Sequence, residues 1–279
     1  MDAFWIILTG SLVAVSCSML GTFLVLRKMS MVGDAISHSV LPGIVIAFFI
    51  AGSMQSVWML LGAGILGILT TFLIEFFHQK GKLQADASIG VTFTWLFALG
   101  VILVTYYAGN AHIDQDCILH GEIAYVPIDL IYTNSGNPIA PKAVIILTVV
   151  LILILLFIFL FYKELFITTF DSSFATAIGI STSKWHYALM SLVSLTTVAS
   201  FESVGAILVV ALLITPAASA YLVTNQLKSM LILSSVFGVF SSFLGYWLSY
   251  ILDGSIAGAM VTVSGAIFAC CYIITRFKK

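Results

Sequence analysis

Along this chain, apolar runs of about twenty residues alternate with short polar breaks, the spacing a helix needs to cross the hydrocarbon core of a bilayer. Nine such runs lie near 4–26, 36–52, 56–77, 87–107, 143–162, 185–201, 204–223, 229–251 and 256–275. The second, sixth and seventh are short or carry Gly, Pro or a charge, as expected of broken or buried helices. The pattern predicts an all-α, polytopic membrane protein with about nine transmembrane helices, organised as a single domain over 1–279. Two long connections interrupt it, at about 108–141 and about 163–184.

Composition agrees with the pattern. The chain has 279 residues, 61% of them hydrophobic and only 8% charged, with a mean hydropathy of +1.15. A soluble domain carries roughly 25% charged residues. No basic tract points to nucleic acid. Cys17, Cys117, Cys270 and Cys271 form no CxxC or metal-finger spacing and read as packing residues. The first run starts at Ala3 with no basic leader or small-residue cleavage site, so it is expected to stay as a span.

The cations orient the layout. Arg27, Lys28, Lys80, Lys82, Lys163, Lys184, Lys228, Arg276, Lys278 and Lys279 fall on one side of nine spans, and only Lys142 departs. Positive charge gathers on the cytoplasmic face, so the N-terminus is expected outside and the C-terminus inside. The 108–141 connection then faces outward and the 163–184 connection faces the cytoplasm.

Candidate chemistry is concentrated in a few places. Asp34 and His38 are four apart in an otherwise apolar stretch, which puts carboxylate and imidazole on one helix face. Ionisable groups inside a bilayer are costly and usually mark an ion or substrate path. One oxygen and one nitrogen donor suit Mn, Fe or Zn better than Na or Ca. Pro42 has no amide hydrogen, so the carbonyl of His38 loses its intrahelical partner and becomes a further candidate ligand. The plainer reading is an Asp–His hydrogen bond that pins two helices.

The outer connection holds His112, Asp114, Asp116, His120 and Glu122 without Lys or Arg, a surface that concentrates divalent cations or meets a protein that delivers them. Glu202 lies between two short spans, either lining a polar path with Thr196, Thr197, Ser200 and Ser203 or marking a turn at the membrane surface. His186, between Trp185 and Tyr187, reads as an interfacial anchor. Pro216 is expected to break a helix rich in small residues. Asp171 or Ser172 can cap a short helix that ends at Gly179, which is either a docking element or an ordinary interfacial helix.

Missing motifs narrow the function. There is no GxxxxGK[ST], since Gly81-Lys82 is followed by Leu83, and no HExxH. Thr262-Val263-Ser264-Gly265 lacks the first glycine of a GxSG motif. These absences argue against nucleotide hydrolysis by the chain itself and weaken a membrane protease, and a transporter without its own energy source must use a gradient or borrow an ATPase.

The run from Leu24 through Arg27, Gly33-Asp34-Ala35-Ile36-Ser37-His38 to Pro42-Gly43 resembles the signature of the ABC-3 family, the membrane subunits of bacterial manganese, zinc and iron importers. Asp86-Ala87-Ser88-Ile89-Gly90 resembles a second family block, and Val204-Gly205 through Thr215-Pro216 to Ala220 a third. The resemblance spans nearly the whole chain. It implies a type II ABC importer permease fold in the bacterial cell membrane, paired with a second permease subunit, identical or a sister. It further implies cytoplasmic ATP-binding subunits and an extracellular metal-binding protein as partners. No cofactor is held permanently: the metal is cargo, Mn2+ first, with Zn2+ or Fe2+ as alternatives.

By the same resemblance Asp34 and His38 match the translocation-site positions, and Asp171, Ala175 and Gly179 fall in the segment that docks on the ATPase. The stretch from His112 to Ile123 is similar to the manganese-type branch, but many relatives carry an aromatic residue, Gly and Asn or Ser where this chain has His120-Gly121-Glu122. That departure makes Asp116, His120 and Glu122 candidate entry ligands. Rival readings are a haem or siderophore permease, a proton-coupled secondary transporter and an intramembrane hydrolase. A linear layout places Asp34 near the cytoplasmic end of the second span, so either the first span ends before Leu26 or the motif bends back into the membrane.

Overall fold

The computed structural model describes residues 2–51, 56–107, 122–132 and 138–277. Among the described residues, nine helical segments are long and apolar enough to span a membrane: Asp2–Leu26, Val32–Ala51, Leu61–His78, Ala85–Tyr106, Lys142–Leu160, Thr182–Val204, Ala206–Val223, Leu227–Leu252 and Ile256–Phe277. Each matches one of the nine apolar runs. The second begins four residues earlier than the hydropathy pattern suggests and so takes in Asp34. The helices are α1 (Asp2–Leu26), α2 (Val32–Ser39), α3 (Leu41–Ala51), α4 (Ser56–Gln79), α5 (Ala85–Tyr107), α6 (Lys142–Leu160), α7 (Tyr162–Phe170), α8 (Ser172–Ala177), α9 (Thr182–Val204), α10 (Ala206–Val223), α11 (Leu227–Leu252) and α12 (Ile256–Phe277). A small antiparallel hairpin of β1 (Leu130–Tyr132) and β2 (Pro138–Pro141) precedes α6, in the connection the sequence marks as polar.

The chain forms two compact units. The first comprises Met1–Ser30, His120–Thr182 and Ser200–Lys279. Within it α1 packs on α6, α10 and α11, and α12 packs on α10 and α11. Small residues bring these helices close: a Cβ added at Gly21 would collide with the carbonyl of Leu213. Thr22 and Ser234 share a hydrogen bond of 3.1 Å between their hydroxyls, a polar tie between α1 and α11. Pro216 sits buried inside α10 and the helix runs on through it, contrary to the expected break. Inside a membrane helix the freed carbonyl costs little when neighbouring groups take it up, so proline is tolerated there.

Helix ends in this unit are specified locally. Asp171 accepts a hydrogen bond of 2.8 Å at Oδ1 from the amide of Phe174, so Asp171 is the N-cap of α8 and Ser172 is its first residue. Gly179 ends the turn with φ +84°, and the amide of Ile180 reaches back to the carbonyl of Ala175 at 2.9 Å. At the ends of α1 and α11, Lys28 and Asp253 take the left-handed conformation with φ 58° and 51°.

The second unit comprises Met31–Leu119 and Ser183–Ala199, which brings α2, α3, α4, α5 and most of α9 together. Three residues past the end of α4, Lys82 is left-handed too, with φ 51°. The unit's central contact is backbone on backbone. A Cβ added at Gly43 would strike the carbonyl oxygen of Gly62, and one added at Gly62 would strike that of Gly43. Gly64, two residues on, has open space where its Cβ would be. Gly62→Ala is therefore expected to cost about 1–3 kcal/mol through overpacking, read as a lower midpoint of thermal unfolding in detergent. Gly64→Ala should leave that midpoint unchanged or raise it. Equal midpoints for the two variants would show that this glycine contact does not hold α3 on α4.

Candidate metal site

The segment that carries Asp34 and His38 is locked on its inner side. In α2, Val32, Gly33, Ala35, Ile36, Ser37 and Ser39 are buried, which leaves Asp34 and His38 as the residues of that helix that are not. Ser39 shares a hydrogen bond of 2.7 Å with Thr70 of α4. Ser37 turns inward and donates to the carbonyl of Asp34 at 2.6 Å, so its hydroxyl is not offered to a ligand. Leu41 and Pro42 lie against Gly100 of α5. The helix thus presents one open strip, and both donors stand on it.

Asp34 Oδ1 and His38 Nε2 are 3.6 Å apart, with side chains 36% and 42% exposed. That exceeds the length of a good N–H···O hydrogen bond, about 2.7–3.2 Å, so the pair is not closed on itself. Two ligand atoms each about 2.1 Å from one ion stand about 3.0–3.6 Å apart when they subtend roughly 90–120°. The observed gap lies at the wide end of that range. Phe93 and Phe97, one turn apart on α5, each place a ring centroid 5.9 Å from that of His38 and confine the imidazole.

The helix ladder is interrupted just beyond this pair. α2 ends at Ser39 and α3 begins at Leu41, with Val40 between them still helical at φ −74° and ψ −17°. Pro42 supplies no amide hydrogen to the carbonyl of His38, while Val40 and Ile44 keep their bonds to Ile36 and Val40 at 3.2 and 3.1 Å. α1 runs through to Leu26 before the chain turns at Lys28, so the first span does not end early and Asp34 falls in the first turn of the second.

The other candidates fall in different places. Asp116 and His120 lie outside the described residues, as do His112 and Asp114. Glu122 is exposed and leads into a 3-10 turn, Ile123–Tyr125. Glu202 stands in the last turn of α9, 3.8 Å from the ammonium of Lys142. The cation that departs from the charge pattern thus has a carboxylate partner. Thr196 and Thr197 donate to the carbonyls of Leu192 and Val193 in their own helix. Among the described residues, no group of three or more His, Cys, Asp or Glu side chains that could hold a metal ion occurs.

Sequence reasoning misses one pair. His186 is not an interfacial anchor: its Nε2 lies 3.0 Å from Oε2 of Glu75, with side chains 15% and 9% exposed. The available signal was Glu75 itself, a carboxylate in the apolar body of α4. α4 runs antiparallel to the α2–α3 span, with Gly62 opposite Gly43 and Thr70 opposite Ser39. Five residues further along α4, and five back along α2, are each about 7.5 Å, which sets Glu75 level with Asp34. One pair is closed and buried, and the other is open.

The fold defines a polytopic, predominantly helical membrane protein with a candidate cation site on one broken span. The chain belongs to the ABC 3 transport family, which it matches over residues 3–275. It is 50% identical over 271 residues to the manganese transport system membrane protein MntD of Bacillus subtilis, covering 97% of this chain and 91% of that one. It is 43% identical to the zinc transport system membrane protein TroD of Treponema pallidum, covering 97% and 73%. The solved structure of PsaBC from Streptococcus pneumoniae in complex with Fab superposes with a TM-score of 0.77 at 35% identity, covering 96% of this chain and 90% of that one.

Removing one member of the buried pair takes a 3.0 Å contact from the other. His186→Ala is expected to cost about 3–5 kcal/mol, and the double variant with Glu75→Gln should cost less than the sum of the two single changes. Thermal unfolding of the purified chain measures this. Strict additivity would mean that the two side chains do not stabilise each other.

Proposed function

We propose that this chain is the membrane permease subunit of an ATP-driven importer for divalent transition metal ions, with Mn2+ as cargo. The observation that carries the reading is the open strip of α2, where a carboxylate and an imidazole stand at the separation of two ligands on one ion. The similarity to a manganese transport membrane protein over nearly the whole chain supports the choice of metal. Zinc is the second reading, supported by the relative named for zinc transport. One nitrogen and one oxygen donor do not separate the two, because most such sites prefer zinc and discrimination must come from geometry.

In this reading the whole chain acts as one permease domain, with its N-terminus outside and its C-terminus in the cytoplasm. A loaded metal-binding protein docks on the outer face near 108–141, where Asp116, His120 and Glu122 concentrate the cation. The ion sheds most of its water and passes to Asp34 and His38. Two donors hold it weakly, as an importer requires, since what is bound must be released. A second permease subunit completes the pathway.

α8 is the element that meets the cytoplasmic ATP-binding subunit. Ala175 is its buried footing, while Phe170, Phe174 and Ile178 recur every four residues with 54%, 53% and 49% of their surface exposed. Asp171 and Gly179 fix the two ends of this apolar patch, which sits on the side assigned to the cytoplasm.

Elemental analysis of cells lacking this chain, complemented with wild type, Asp34→Asn or His38→Ala, tests the reading. Loss of cellular manganese that wild type restores and both variants fail to restore is the expected result, with the variants still co-purifying with the ATP-binding subunit. Loss of zinc alone would keep the mechanism and change the cargo. Full restoration by both variants would remove Asp34 and His38 from the path. No change in any metal would point to a chelate permease.

A further inference from the structure

A histidine that binds a metal through one ring nitrogen ordinarily donates from the other to a carboxylate or carbonyl, and that bond fixes the ring and raises its basicity. His38 is held differently. Among the described residues, no side chain or backbone group hydrogen-bonds its imidazole, and the gap to Asp34 is 3.6 Å. Thr94, next to Phe93 in sequence, donates to the carbonyl of Gly90 in its own helix at 2.7 Å. What touches the imidazole is a pair of phenyl rings.

The two rings bear on it from different directions. Phe97 meets the imidazole edge to face, at 82° between the ring planes, and Phe93 meets it at 37°. Both centroids are 5.9 Å away, inside the range of about 4.5–7 Å at which aromatic rings pair. One flat wall would let a ring turn against it, whereas two inclined walls oppose that rotation. The torsion they oppose is a soft one, since the last torsion of a histidine has broad wells and two-fold character. Left to itself, the ring would turn Nε2 toward the ion only part of the time.

The walls are themselves anchored within the same compact unit. His38 lies beside Phe97 and Leu41 beside Gly100, three residues further along each helix, so α5 runs parallel to the α2–α3 span. A Cβ added at Gly100 would come within 2.8 Å of Pro42 Cδ and 3.1 Å of Leu41 Cβ, so α5 is seated closely on the span just past the rings. The same register sets Phe93, one turn back, level with Asp34. A ring fixed by packing keeps its direction without gaining basicity, which suits a site that must let its ion go.

We propose that Phe93 and Phe97 are positioning residues of the cation site: from α5 they hold the His38 imidazole with Nε2 turned to the ion, in place of the hydrogen bond that fixes most metal-binding histidines. The proposal rests on the importer reading above and deepens it by naming what shapes the same site. It differs from a purely structural role in acting through one side chain. Rings that only filled space would matter as much without His38 as with it.

The test uses the permease purified with its ATP-binding subunit, without nucleotide, and measures Mn2+ affinity together with the imidazole nitrogen signal of bound Mn2+ in pulsed electron paramagnetic resonance. The Phe93→Ala and Phe97→Ala double variant is expected to weaken Mn2+ binding about tenfold, the worth of the two ring contacts together, and to diminish the nitrogen signal. Tyrosine at both positions, which keeps the rings, should recover most of the loss. In a His38→Ala background the double change should weaken binding no further. Unchanged affinity in the double variant, or an equal further loss in the His38→Ala background, would overturn the proposal. If the alanine pair fails to assemble, Phe93→Leu with Phe97→Leu decides instead, and wild-type affinity and nitrogen signal there overturn it. Mn2+ binding that His38→Ala leaves unchanged, or no Mn2+ binding by wild type, would overturn the site reading itself and this proposal with it.

Discussion

An ionisable side chain in an apolar helix has to find a partner or face a polar space, because hydrocarbon offers it nothing. That constraint arranges much of this molecule. Glu75 and His186 close on each other at 3.0 Å and are nearly buried. Glu202 lies 3.8 Å from Lys142. Arg27 spends its fork on two threonines. Asp34 and His38 behave differently: they share a helix face, stand too far apart to close, and keep more than a third of their side chains open. The same pair of chemical groups that ties α4 to α9 stands open on α2, the arrangement on which the proposed cation site rests.

Precise placement of that pair depends on parts that carry no charge. Glycines at 43 and 62 let α3 and α4 touch along their backbones, and Gly100 makes room for Pro42. Six buried residues of α2 then fix its rotation, so that the remaining two point outward together. Replacing Asp34 or His38 would remove a donor, while a side chain at Gly43 or Gly62 would strike the facing backbone and push α3 and α4 apart.

The spans were legible because helix length in a bilayer is set by thickness, and every apolar run found its helix. The Asp34–His38 pair and the capped helix from Asp171 to Gly179 were legible for a related reason: four-residue spacing and capping are local properties of the chain. The pairs between helices were not. Arg27 and Thr168 are 141 residues apart, and nothing in the neighbourhood of either names the other. Pro216 runs on inside α10 because a packed membrane helix absorbs the freed carbonyl that a lone proline signal reads as a break. His186 misled because Trp185 and Tyr187 beside it form an interfacial pattern, and that pattern hid the buried carboxylate of Glu75.

Lys28, Lys82 and Asp253 lie just past the ends of α1, α4 and α11. Each is a charged residue in a left-handed conformation that glycine would adopt without strain, at a cost of about 1–2 kcal/mol per residue. At these three positions, all of them exposed, the residue that reverses the chain is also the one that must stay in water. The two requirements lock together. A helix that slipped by one residue would lose its stop and drag an ion into lipid in the same step. These ends therefore act as a ruler for α1, α4 and α11, because in each the residue that stays in water lies where the helix stops.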